Sequence, residues 1–445
     1  MGFPGVYMTD IDGNLGSNNI VSSESVCGLV FDISAQTDLW TKGYGKEVAS
    51  KLQGTVIELF SMKDVEEAGI IPYNGETDES GETKDLLNGI PYYHINHFFT
   101  AMGGNGRLFV AFADCSKNWE VLIDMQKAAN GMIYQFGVWT EQNLWSQMDS
   151  EATSYSVNLI NDLNSVAVSL ATNYHAPASI LLNANTATIK TGAEPLLTVD
   201  VKKIPTCVIN CRYVTVLLGQ ALDATVHKMQ TALESRTPVG NIGAALGCAA
   251  MTTVAESIGW VERFDVVAFF PEIEFGFGDA TVASGSSEIQ NATKYASLAF
   301  AQLEDLDNKG YVFLTKYAGA EGHVYFTGDQ TCSNGDYRRL AYNRAINKSR
   351  RGVRISLLPD VNAPILVDPS TGQLSAAKIS YFTNKVERVL SSMVSNGEIS
   401  GIGKIYIDPA QNVLQNDQLN IQYSIIPVGS TKRINVTEGL ALKQE

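Results

Sequence analysis

The segment Leu374–Gly397, LSAAKISYFTNKVERVLSSMVSNG, decides the fold of the last quarter of the chain, together with two short runs after it: GKIYID (Gly403–Asp408) and LNIQYSII (Leu419–Ile426). Apolar residues fall at Ile379, Phe382, Val386, Val389, Leu390, Met393 and Val394. Steps of three and four give a helix one apolar face. Ser375 suits the N-cap, and Gly397 stands where a left-handed stop is wanted. Ile405 and Ile407 share one face of a strand, as do Leu419, Ile421, Tyr423 and Ile425 of a second. The pattern predicts an amphipathic helix on a small sheet. Few neighbouring strands cover the sheet's edges, and an exposed edge invites pairing with another chain. Both chain ends look extended enough to be that partner: PGVYMTD with Val6, Tyr7 and Met8, and RINVTEGLAL with Ile434 and Val436.

Just upstream, Tyr337–Arg351 (YRRLAYNRAINKSRR) predicts a basic helix ended by Gly352, followed by a strand in VRISLLP. Arg338, Arg339, Arg344, Lys348, Arg350 and Arg351 are expected mostly outward, either solvated or facing an acidic partner. Further back, strands and helices alternate. VCGLVFDIS, RLFVAFAD, MIYQFGVWT and SILLNAN read as strands, and Trp119–Asn130 and Glu151–Asn173 as helices. That spacing predicts βαβ units and a parallel sheet. Helices are also expected at Tyr44–Phe60, over YYHINHFFTAM, from Ala221 to Ser235, from Gly240 onward and at Ile289–Leu306. Gly243 and Gly247 admit another backbone closely. CVINCRYVTVLLGQ and the start of Phe264–Gly278 are expected as strands, and YVFLTKYA with HVYFTGD as a hairpin. The fold class is therefore mixed α/β: an N-terminal arm (1–25), a large body (26–334), a smaller C-terminal domain (335–429) and a C-terminal arm (430–445).

With 445 residues and 45% hydrophobic composition, the chain has material for more than one ordinary soluble domain. The net charge of −15 argues against a nucleic-acid binder. It is unevenly spread: residues from Thr331 onward carry 14 Lys+Arg against 9 Asp+Glu, and the remainder 18 against 38. Cys27, Cys115, Cys207, Cys211, Cys248 and Cys332 lie among apolar residues, as reduced buried thiols do. No signal peptide and no long apolar run is present, so no direct membrane insertion is expected.

Chemistry-bearing motifs are missing. There is no phosphate-binding GxxxxGK[ST], no complete GxGxxG and no GxSxG elbow. His94 and His97 lack a third metal ligand, and DIDGN (Asp10–Asn14) lacks the closing glutamate of a calcium loop. No catalytic residue, cofactor or metal is expected.

The final quarter, notably MVSNGEIS, DPAQNVL and the strand ending in IPVG, resembles the C-terminal domain of contractile phage tail sheath proteins, and PGVYMTD is similar to sheath N-termini. The resemblance covers roughly the last 110 residues and the first ten. It implies a structural subunit that polymerises with itself as stacked six-fold rings around an inner tail tube protein, with baseplate and tail terminator proteins as further partners. It implies that residues 3–12 and 430–442 add strands to neighbours' sheets, and that a virion tail or phage-like particle is assembled in the bacterial cytoplasm. Arg338, Arg339, Arg344, Lys378, Lys385 and Arg388 are then the expected contacts to tube or neighbour. A cytosolic α/β enzyme of small molecules and another filament-forming protein are the alternatives.

Overall fold

The structure, a computed structural model, describes residues 23–34, 52–77, 86–147, 155–186, 204–218, 239–271, 293–320, 322–369, 371–411 and 418–440, with pieces at 220–221, 225–226, 228–229, 273–275, 281–282 and 289–290 and single residues 79, 81 and 413. The body is built from β1 (Cys27–Asp32), β2 (Val56–Leu59), α1 (Met62–Glu67), α2 (Leu86–Ala101), β3 (Leu108–Ala113), α3 (Val121–Ala128), β4 (Gln135–Asn143), α4 (Asn158–Thr172), β5 (Ser179–Asn185), β6 (Val214–Leu217), α5 (Ile242–Met251), α6 (Phe300–Asn308) and β7 (Tyr311–Val312). A short antiparallel pair, β8 (Leu314–Thr315) and β9 (Tyr325–Phe326), follows. The C-terminal part holds α7 (Leu340–Leu357), α8 (Ala376–Ser395), β10 (Ile399–Ile407) and β11 (Ile421–Pro427).

Among the described residues, seven strands form one sheet in the order β7-β6-β5-β4-β1-β3-β2. All neighbours run parallel except β2, which lies antiparallel at one edge. The predicted mixed α/β class and parallel sheet are present. β1 is buried along its whole length, because a sheet covered on both faces needs apolar residues on both. One face packs Leu29, Phe31 and Leu181 against α2 and α5, and the other packs Val30, Val138 and Ile180 against α3 and α4. α5 approaches α2 so closely that a Cβ at Gly243 would lie 2.0 Å from the His94 carbonyl oxygen, and one at Gly247 2.6 Å from Ala101 Cβ. The two glycines do what their spacing suggested. All six cysteines are free and buried.

Several expected elements differ. Val56–Leu59 is a strand, not the end of a helix, because Gly54 turns the chain at φ 73° ahead of β-branched residues; residues 35–51 lie outside the described set. Of CVINCRYVTVLLGQ, Val214–Leu217 is strand and Gln220 opens a two-residue strand with Ala221, while Asn210, at φ 64°, keeps the start of the run out of the sheet. Phe264–Phe270 is irregular with a turn at Val267–Phe269, and among the described residues of the run strand is found at Glu274–Phe275. Helix α6 begins at Phe300, after the two-residue strand pieces Ile289–Gln290 and Thr293–Lys294. Most of the helix expected at Ala221–Ser235 lies outside the described residues. The expected hairpin is split: Tyr311–Val312 extends the large sheet, and only Leu314–Thr315 pairs back.

The helix α7 runs through Gly352 to Leu357, so VRISL is helical rather than a strand. Gly352 is a packing residue: a Cβ there would sit 2.7 Å from Val389 Cγ1 on α8. α8 matches its sequence reading: Ser375 Oγ accepts from the Lys378 amide at 3.4 Å, and Gly397 takes φ 70° at the end. Phe382, Val386, Leu390 and Met393 are buried.

Candidate assembly site

β10 and β11 pair antiparallel, from Ile399 opposite Pro427 to Ile407 opposite Ile421. Ile405, Ile421, Tyr423 and Ile425 pack on the cluster formed by Val353, Val386, Leu390 and Met393. Ile407 and Leu419 pack on a second cluster with Phe382 and Leu374. These six residues therefore stitch the sheet to α8. They set the register, so that a slip by one residue would turn the apolar set to solvent. Two irregularities bend β10, between Ile399 and Gly401 and between Ile402 and Ile405. Gly403 makes the second possible: a Cβ there would lie 2.3 Å from Ser424 Oγ, which accepts from the Lys404 amide at 2.9 Å.

Among the described residues this sheet has two strands and no more. Each strand thus offers one row of backbone donors and acceptors without a partner strand, the arrangement that natural sheets cover or pair. Beyond Pro427 the chain continues to Leu440 with no strand pairing of its own. Ile434 is 78% exposed, Val436 83% and Leu440 fully exposed. Ile434 and Val436 alternate, so in extended form they share one face. The root of this arm is held: the Ser430 carbonyl accepts from Arg339 at 3.2 Å, Lys432 reaches Asp307 at 2.7 Å, and Arg433 lies 3.5 Å from Glu304. Val6, Tyr7 and Met8 of the N-terminal arm lie outside the described residues.

Two family profiles span this architecture: DUF2586, N-terminal domain, matches residues 3–330, and DUF2586, C-terminal domain, matches residues 336–445. The chain belongs to the DUF2586 family. No curated protein matches it. Among solved structures, the fold is similar to a chain of the anti-feeding prophage (AFP) baseplate, at TM-score 0.52 and 14% identity, covering 99% of this chain and 100% of that one. It is similar to the AFP helical sheath in its contracted state, at TM-score 0.51 and 12% identity, covering 99% of both chains. A third likeness is to the contracted sheath complex of PVC, an extracellular contractile injection system, at TM-score 0.52 and 11% identity, covering 99% of this chain and 98% of that one. In its described residues the DUF2586 chain therefore has the fold of these contractile-system structures.

Of the basic residues in and just before the DUF2586 helix α7, Arg338 and Arg350 are exposed as expected, whereas Arg339, Arg344, Lys348 and Arg351 turn inward. Arg344 is buried at 3% exposure. Its guanidinium donates to the carbonyls of Ala249 and Thr252, at 2.9 Å each, to the Thr253 carbonyl at 3.1 Å, and to the Thr252 hydroxyl. It thereby caps the end of α5, whose last carbonyls lack helical partners. Burial draws its pKa down to about 10, so it stays charged at neutral pH. Arg351 donates to the Ile133 and Pro177 carbonyls at 2.8 Å each and to that of Gly131, and lies over the Tyr134 ring. Arg339 pairs with buried Asp329 at 2.8 Å, and Arg350 donates to the Tyr213 hydroxyl at 3.0 Å. Lys348 bridges Glu24 and Glu398, at 2.7 and 2.6 Å. These acidic and carbonyl partners all belong to this chain itself. Guanidinium forks are drawn there because strand and helix ends present carbonyl groups that packing hides from water.

Of the other basic candidates, Lys385 pairs with Asp360, which also accepts from the Tyr381 hydroxyl at 2.9 Å, and Lys378 lies 5.2 Å from the Tyr381 ring centre. Arg338 and Arg388 are exposed. Sequence reasoning missed Asp307 and Glu304, which hold the arm's root. Their one legible signal was the Lys432–Arg433 pair that opens the arm.

Proposed function

We propose that this protein is the structural subunit of a contractile injection sheath, polymerising through strands lent between copies. The observation that carries the reading is an arm of exposed, alternating apolar residues leaving a sheet that has two strands, and so open edges, among the described residues. Main-chain pairing of about four to six hydrogen bonds at ~1 kcal/mol each, with ~2 kcal/mol for burying each of Ile434 and Val436, suffices to hold a neighbour. Such pairing tolerates rotation of the bodies, because it depends little on side-chain detail. A head-to-tail contact of this kind repeats around rings or along a helix.

On this reading copies stack as six-fold rings around an inner tube, with the N-terminal segment 3–12 and the C-terminal segment 430–442 as donated strands. Baseplate, terminator and tube proteins are the further partners, and the product is a phage-like particle assembled in the bacterial cytoplasm. The likeness in fold to AFP and PVC sheath structures supports it. Electron microscopy of the purified protein tests it. Tubes or stacked rings are expected from the full chain, and none from a chain ending at Gly429. Assembly by that truncated chain, or a full chain monomeric at high concentration and with its tube present, would refute the proposal.

A further inference from the structure

We propose that the C-terminal arm is strapped at its root to its own subunit by a salt-sensitive contact with α6, and that this strap aims the arm for donation. The proposal rests on the strand-lending reading and adds a control to it. Helix α6, FAQLEDLDN, presents Glu304 and Asp307 to the arm. Lys432 Nζ meets both carboxylate oxygens of Asp307, at 2.7 and 2.8 Å, and Arg433 lies 3.5 Å from Glu304. The Gln330 amide donates to the same Asp307 carboxylate, which fixes it in place. Arg339, itself anchored to buried Asp329, donates to the Ser430 carbonyl two residues earlier in the arm than Lys432.

These contacts end abruptly. Residues 430–433 are tied to the body, whereas Ile434 and Val436 stand out in solvent. The boundary between held and released chain therefore falls at the start of the apolar alternation. A strap of this kind lowers the number of directions that the arm explores before it meets an edge, and so reduces the entropy lost on donation. Its ion pairs are partly exposed, with side-chain exposures of 39% and 24% for Lys432 and Asp307 and 74% and 46% for Arg433 and Glu304. They are therefore weak singly and screened by salt, which lets the strap yield when the bodies repack.

A nitroxide on Ile434→Cys reads the arm in the unassembled full chain, since the six native thiols are buried. The expected spectrum is restricted at low ionic strength and mobile in about 1 M salt, where the screening length falls to about 3 Å. Asp307→Lys should be mobile in both, and Asp307→Lys combined with Lys432→Asp restricted again at low salt. Without the label, the single reversal should slow assembly about two- to five-fold, the scale of one exposed ion pair, and the double reversal should restore it. Equal mobility in the unaltered and Asp307→Lys chains, or an assembly rate indifferent to both, overturns the strap. Loss of assembly on truncation at Gly429 is read separately, so the strap can fail while strand lending stands.

Discussion

Asp32 sits at the end of β1, beside the point where the strand order turns from β3 on one side to β4 on the other. Enzymes built on such sheets place their ligands there. Here the carboxylate is 1% exposed and engaged by this chain's own groups: the amides of Ser34 and Cys115 at 3.0 Å each, the Thr140 hydroxyl at 2.5 Å and the Gln142 side-chain amide at 2.7 Å. It ties three strand ends together. Asp32→Ala should cost about 3 kcal/mol in denaturant unfolding, because it strands several buried donors; a loss below about 0.5 kcal/mol would show that water replaces the carboxylate. Arg344→Ala should cost a similar ~3 kcal/mol, and Arg344→Lys should recover less than half of that, since one ammonium cannot reproduce the fork. His94 and His97 report on acid. Burial holds both down to about 3 from an ordinary 6.5, and the His94 ring donates to the Val239 carbonyl at 2.8 Å. The unfolded chain then binds more protons than the folded one between those values. Stability is complete above pH 6.5 and falls as pH drops below it, by about 1.4 kcal/mol per pH unit for each histidine. Unfolding midpoints equal at pH 7 and pH 5 would contradict this.

At the scale of elements, close approach separates what the sequence made legible from what it did not. Gly243 and Gly247 lie on one face of α5 and read correctly as a contact surface. Gly243→Ala should destabilise by more than about 2 kcal/mol although alanine favours helix, because the new Cβ meets the backbone of α2; a neutral result would mean that the helices slide apart. Gly352 carries the same meaning but reads in sequence as a helix stop, because it follows a basic run of the kind that closes a last turn. Only the position of Val389, on another helix, tells the two apart. The helix α8 and the β10–β11 pair were legible because cap, period and stop agree locally. Arg344 and Arg351 of α7 depart from the outward expectation for the opposite reason. A cation's direction depends on which carbonyls lie opposite, and those belong to residues such as Pro177 and Ala249, far away in sequence. The candidate site was legible in its apolar alternation, which is local, and hidden in the α6 carboxylates that root the arm.

For the whole molecule, α7 joins the small domain to the large body through a seam of hydrogen-bonded cations, of which Arg344 is buried, rather than through apolar packing alone. Arg339, Arg344, Lys348, Arg350 and Arg351 all make their contacts across or along it. Such a seam favours motion of body and small domain as a unit, with flexibility left to the arm beyond Arg433. The uneven charge of the sequence then has a first use inside the subunit, before any neighbour is met. The central claim is that the last strand of each small sheet belongs to another copy. Cryo-electron microscopy of the assembled protein tests it most directly: the account predicts residues 434–440 hydrogen-bonded along the edge of a neighbour's β10–β11 pair. A map in which those residues fold back onto their own subunit, with no chain crossing between copies, would contradict it.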